Sequence, residues 1–175
     1  LLSDVTAADE WELARSAVEF LHLPLPEEDD DQVPAGDLDL LGDELAEQVA
    51  KISDELIEIR RDLHAHPELG RQETRTTTVI HERLAAAGLA PVVLPGGSGV
   101  ICDIGQGTRT VALCADIDAL PILEETGLDY ASTIPGAMHA CGHDAHTAML
   151  AGAVRLLCAR RDELKGEVRF MFQPG

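Results

Sequence analysis

Nine consecutive residues, Met138-His-Ala-Cys-Gly-His-Asp-Ala-His146, constrain this chain more than any other stretch. They gather three histidines, a cysteine and an aspartate where a loop runs into a helix. Cys141 and His143 offer a soft thiolate and an imidazole two residues apart. Gly142 between them lets the backbone bend so that both side chains can point at one centre. Donors of these types suit zinc, manganese, cobalt or nickel.

A second chemical signal lies upstream. Thr110-Val-Ala-Leu-Cys-Ala115 is continuously apolar and reads as a strand buried on both faces, in the middle of a sheet. It runs into Asp116-Ile-Asp118, which places two carboxylates at the C-terminal end of that strand, where open α/β sheets hold their ligands. A carboxylate pair closing a buried strand is costly without cations nearby. A site role is therefore favoured for Asp118 and Asp116 over a purely structural one.

The rest of the chain supplies the frame. Leu38, Leu41, Leu45, Val49, Ile52, Leu56, Ile59 and Leu63 step by threes and fours along one long helix. Such a stripe can build a coiled-coil dimer, but packing against the chain's own sheet is the commoner use. His64-Ala-His66-Pro67 closes the helix, because proline drives the residue before it out of helical geometry; the two histidines read as a turn rather than a metal site. A second helix covers about 73–87 and stops at Gly88. The period then changes to short β-rich runs at Pro91–Leu94, Val100–Ile104 and Thr110–Ala115. A helix from His143 to about Arg161 and a strand over Glu167–Phe172 follow. This order predicts an α/β layered arrangement, with a right-handed crossover through 143–161 if the last strand runs parallel to Thr110–Ala115.

The N-terminal portion differs. Residues 7–22 read as a short amphipathic helix with Trp11, Ala14, Val18 and Leu21 on one stripe, and Thr6 as its N-cap. Pro24-Leu-Pro26 ends it, and Glu27-Glu-Asp-Asp-Asp31 reads as a tether extended by self-repulsion, with metal scavenging as the other reading. Two units follow: an acidic helix and linker over 1–37, and an α/β unit over 38–175. Residues 1–55 hold 17 acidic and 2 basic side chains, whereas 56–175 hold 15 and 11. The acidity thus says little about a ligand of the second unit, but it argues against nucleic acid, which needs a basic face. No apolar run approaches the roughly 20 residues of a membrane span, so no membrane partner is expected. Aromatic residues are only 3% of the chain, so the core must be built from Leu, Val, Ile and Ala. Cys102, Cys114, Cys141 and Cys158 show no CxxC spacing, and reduced thiols in a cytoplasmic setting are the simplest reading.

Three motifs in one order carry a family resemblance. Ala115-Asp-Ile-Asp-Ala-Leu-Pro-Ile122 with Glu124, Gly136–Leu150, and Phe172-Gln-Pro174 resemble the hippurate hydrolase and indoleacetyl-amino-acid hydrolase branch of the aminoacylase/carboxypeptidase metallopeptidase superfamily. Arg60-Arg-Asp-Leu-His64 with Pro67-Glu-Leu-Gly70, Glu73 and Thr74 is similar to the family's opening. The resemblance covers about residues 50–175.

It implies a partial zinc-peptidase-like catalytic domain, a mixed sheet flanked by helices without the lid domain. The activity it implies is metal-dependent hydrolysis of N-acyl amino acids or similar small amides, with two divalent ions (Zn, Mn, Co or Ni) per complete site. Cys141 and His143 would be metal ligands, and Asp118 the catalytic carboxylate orienting them. Asp116, His139 and His146 would be neighbours of the site or of the substrate. In the family, the general-base glutamate and a glutamate ligand follow the Gln-Pro-Gly/Ala segment, and further histidine ligands and a dimerising lid lie downstream. The 175 residues are therefore expected to be inactive alone, and the full-length protein to form a homodimer. The alternative is a catalytically dead fragment serving interaction or oligomerisation; a structural zinc module is the weakest reading, since one Cys and one His fall short of four ligands.

Overall fold

The computed structural model describes the backbone of residues 35–175 and the side chains of residues 44–175. The helix expected over 7–22 and the acidic run 27–31 lie outside the described residues. Helices α1 (Ala35–Ala65) and α2 (Thr74–Ala86) come first. Strands β1 (Val92–Val93), β2 (Val100–Gly105) and β3 (Thr110–Asp116) follow, then α3 (His143–Ala159), a 3-10 turn at Arg161–Glu163 and β4 (Glu167–Gln173).

The long apolar stripe folds inward. Leu45, Val49, Ile52, Ile59 and Leu63 are buried; Val49 and Ile52 pack with Leu56 against Leu156 of α3, and Ile59 and Leu63 pack with Leu56 against Ala148 and Ala151. A Leu, Ile or Val side chain buried in this way contributes about 1.5–3 kcal/mol. The two helices approach at Gly152, where an added Cβ would stand 3.0 Å from a Leu56 methyl. Over residues 45–63 the stripe thus serves intramolecular packing, not a coiled coil.

The sheet has the order β1-β2-β4-β3. The β1/β2 and β2/β4 pairs are antiparallel and the β3/β4 pair is parallel, as the β3-α3-β4 crossover requires. Cys102, Phe170 and Leu113 align in one row across the strands, and Val100, Phe172 and Ala115 in the next. Because side chains alternate along a strand, these residues share one face. Ile80 and Leu84 of α2 and Leu150 and Val154 of α3 close over that face, and the two phenylalanines at its centre are fully buried, so the core is not the purely aliphatic one expected from the low aromatic content. The other face carries a bidentate Arg169–Asp103 pair at 2.8 and 2.7 Å.

A second expectation is overturned. Among the described residues β3 is not a central strand buried on both faces; it lies at the edge of the sheet, and Thr110, Val111, Ala112 and Cys114 are exposed. A continuous apolar run records the lack of charge, not the number of neighbouring strands. The crossover through α3 inserts β4 between β3 and β2, so β4 takes the interior place and the two aspartates stand at the end of the sheet's edge. The arrangement is otherwise the expected mixed α/β one. All four cysteines are unpaired, and no described helix is long and apolar enough to cross a membrane.

Candidate metal site

The segment leaving β3 is held from three sides. Ile117 N–H donates to the Gln173 carbonyl (2.9 Å) and Ala119 N–H to the Glu68 carbonyl (2.8 Å). Leu120 and Met138 exchange two backbone bonds at 2.9 and 3.0 Å. Main-chain bonds from β4, from the turn after α1 and from the Met138 segment therefore fix Asp118. Thr147 of α3 adds a bond to the Asp116 carbonyl at 3.2 Å.

His143, the first residue of α3, meets this segment. Its Nδ1 lies 2.9 Å from Asp118 Oδ1 and 3.0 Å from the Asp118 carbonyl oxygen. A carbonyl oxygen can only accept, so Nδ1 carries the proton. Nε2 then presents its lone pair, and Asp116 Oδ2 stands 3.9 Å from it. Gly142, the N-cap of α3 between Cys141 and His143, holds φ +83°, a left-handed conformation that glycine adopts without strain. Cys141 is exposed. His146 is exposed too, with its ring 6.1 Å from that of His143. His139 is buried and no described residue bonds its ring nitrogens.

Behind the site lies a buried polar network with no counterpart in the sequence reading, where His64 was a turn residue. His64 Nδ1 lies 2.7 Å from Asp144 Oδ2, and its Nε2 lies 3.2 Å from Glu124 Oε1. Arg60 Nε donates to the same Asp144 oxygen at 2.9 Å, and its Nη1 donates to the Tyr130 hydroxyl at 3.0 Å. Glu124 also accepts from Ser132 N–H at 2.6 Å. Burial opposes charge on His64, but the Asp144 and Glu124 carboxylates at its two edges outweigh burial and raise its pKa above the ordinary 6.5. Burial likewise opposes ionisation of Asp144, and its bond to His64 and the Arg60 guanidinium hold its pKa below the ordinary 3.8. His139 has no such bonded partner, and burial lowers its pKa. The sequence signal for this network was the Arg60–His64 helix end together with Asp144; pairing them requires the fold.

The donor chemistry fits a divalent ion, with a thiol, an imidazole lone pair and a carboxylate all at the α3 start. Among the described residues, however, no three His, Cys, Asp or Glu side chains form a cation-holding group. The structure brings Asp116, Asp118 and His143 together and places His139 behind them.

The aspartates therefore stand at a strand end of a helix-backed mixed sheet, facing the start of the helix that follows Cys141-Gly142. Residues 112–175 match the model of peptidase family M20/M25/M40. Over 120 residues the chain is 53% identical to a putative glutamate–cysteine ligase 2-3 of Rhodococcus jostii (68% of this chain, 15% of that protein). It is 45% identical over 133 residues to an N-acyl-L-amino acid amidohydrolase of Geobacillus stearothermophilus (75% of this chain, 36% of that protein). The solved Bacillus subtilis YxeP protein, described as a dinuclear metal-binding peptidase of the M20 family, aligns with TM-score 0.69 and 49% identity, covering 72% of this chain and 36% of that one. Residues 112–175 are thus similar to the M20/M25/M40 peptidases, and the chain spans about a third of the length of that amidohydrolase and of YxeP. Residues 1–64 match a different model, that of an Rv3753c-like tRNA adenosine deaminase-associated protein, in keeping with a resemblance that begins only near residue 50.

Proposed function

We propose that this chain carries one part of the active site of an amidohydrolase acting on N-acyl amino acids or similar small amides. Cys141 as thiolate and His143 through Nε2 would hold a divalent ion, zinc, manganese, cobalt or nickel, in a site that takes two ions when complete. Asp118 would be the carboxylate that sets the ring. One observation supports this above the others: Asp118 fixes the proton on His143 Nδ1 and leaves Nε2 facing Asp116. Metal-bound imidazoles commonly donate their second N–H to a carboxylate or carbonyl in this way. When bound, a metal pair polarises the acyl carbonyl and lowers the pKa of bound water. The chain's own part is to orient the imidazole through Asp118, to add the negative charge of Asp116 beside it, and to exclude water behind the site with buried His139. His146, exposed with its ring 6.1 Å from that of His143, would neighbour the site or the substrate.

The described donors are too few for a tightly held ion, since catalytic zinc sites use three protein ligands. We infer that the 175 residues alone do not turn over substrate, and the four unpaired cysteines suit a reducing, cytoplasmic setting. The test is cobalt titration of the whole chain, read by thiolate-to-cobalt absorption, beside a hydrolysis assay with N-acetyl amino acids. Cobalt should give the band, Cys141→Ala should remove it, and Asp118→Ala should weaken cobalt binding about 10–100-fold. Hydrolysis should be absent. An unchanged band in Cys141→Ala removes that residue from the site, and chelator-sensitive turnover overturns the inactivity.

A second reading has one observation of its own, the match of residues 1–64 to a family named for association with tRNA adenosine deaminase. In it residues 1–34 serve interaction independently of the metal site. Deleting residues 1–34 would then leave cobalt binding unchanged.

A further inference from the structure

We propose that His64 is a positioning residue for the metal site, an inference that rests on Cys141 and His143 being ligands. Its ring sits in the last turn of α1, 3% exposed, between carboxylates from two separate segments. Asp144 belongs to the first turn of α3, and Glu124 to the loop that joins β3 to α3. These two residues bracket Met138–His143. A planar ring bonded at both edges sets the separation of its two partners, as a flexible side chain would not.

Asp144 directly follows His143. With its carboxylate oxygen held by both the His64 ring and the Arg60 guanidinium, the first turn of α3 cannot rotate about its axis. That rotation is the movement that would carry His143 Nδ1 away from Asp118. Glu124 anchors the loop from the opposite side through its bond from Ser132 N–H. Buried ion pairs add little net stability, because desolvation offsets most of their attraction. Four charged groups gathered behind the helix start therefore serve geometry more than stability. His139, buried two residues before Cys141, has its ring 6.4 Å from that of His64.

The experiment compares the whole chain with His64→Leu and His64→Asn, each checked for native far-UV circular dichroism. Long-range 1H–15N correlation spectra without metal read the tautomer of His143; cobalt titration reads the ligand pair. The native chain should show His143 in the Nδ1–H form. His64→Leu should average the two tautomers and weaken cobalt binding about 10–100-fold, the range seen when groups supporting a ligand are lost. His64→Asn, which keeps a donor toward Asp144, should recover most of both. A folded His64→Leu with the Nδ1–H form and cobalt affinity unchanged overturns the proposal. If His64→Leu does not fold, Glu124→Ala frees the ring from the loop side, and unchanged readouts there overturn it equally. A native chain without the thiolate-to-cobalt band removes the ligand reading, while the metal-free spectra still decide the role of His64.

Discussion

At the scale of single residues the strongest physical consequence comes from His64. Its pKa is raised in the folded chain by Asp144 and Glu124, so the stability it contributes is complete below about pH 6.5 and is lost as pH rises through the higher folded value. Asp144 and Glu124 have lowered values, so their contribution is present above the ordinary carboxylate range and is lost as pH falls through it. The melting temperature should therefore be highest in mildly acidic solution and fall on both sides. Melting curves from pH 4 to 9 should show the alkaline fall in the native chain and not in His64→Leu; an equal fall in both would assign it to another group. In the sequence His64 stood beside Pro67 as a helix-closing residue. Its partners lie 60 and 80 positions away, a separation over which no local pattern carries information. Cys141, Gly142 and His143 can be read together from the sequence because their relation is local: three consecutive residues, with a glycine that permits a bend between the two donors.

Among the elements, the α1/α3 crossing shows what periodicity can and cannot say. The three-and-four spacing of Leu45 to Leu63 marked the helix and its buried face, since that spacing places side chains on one stripe. The choice between a coiled coil and an internal partner was settled by Gly152, whose missing side chain admits Leu56. Gly152→Leu should overpack this crossing and destabilise the chain by about 1–3 kcal/mol, read as a fall in the denaturant midpoint with the slope unchanged. A midpoint equal to the native one would show that the helices can slide apart there at no cost. The strands were found within one or two residues of their bounds by composition and by glycine and proline breaks. Their order was not, because alternation and apolarity describe a strand's faces and leave its neighbours unspecified.

For the molecule as a whole, the consequence is an exposed sheet edge. Among the described residues β3 pairs only with β4, and Val111, 39% exposed, lies along it. An unpaired, apolar edge is a template for another chain. Self-association of the 175-residue chain should appear in light scattering at micromolar concentration, and Val111→Lys should reduce it without lowering the melting temperature. A monodisperse native chain would show that the edge is protected. The M20 relatives were foreshadowed by three motifs in order, whereas the separate similarity of residues 1–64 was foreshadowed only by their acidity and by the start of the resemblance near residue 50.

By itself the sequence determined what short-range chemistry can encode: helix stripes, strand segments, a bend permitted at Gly142, and the donor types at Cys141, His143, Asp116 and Asp118. Only the tertiary structure decided that β4 enters between β2 and β3, that Asp118 holds the His143 proton, and that His64 stands between Asp144 and Glu124. Those are pairings between distant residues, selected by which packing buries the apolar faces and satisfies the buried charges together. No stretch read alone contains that sum.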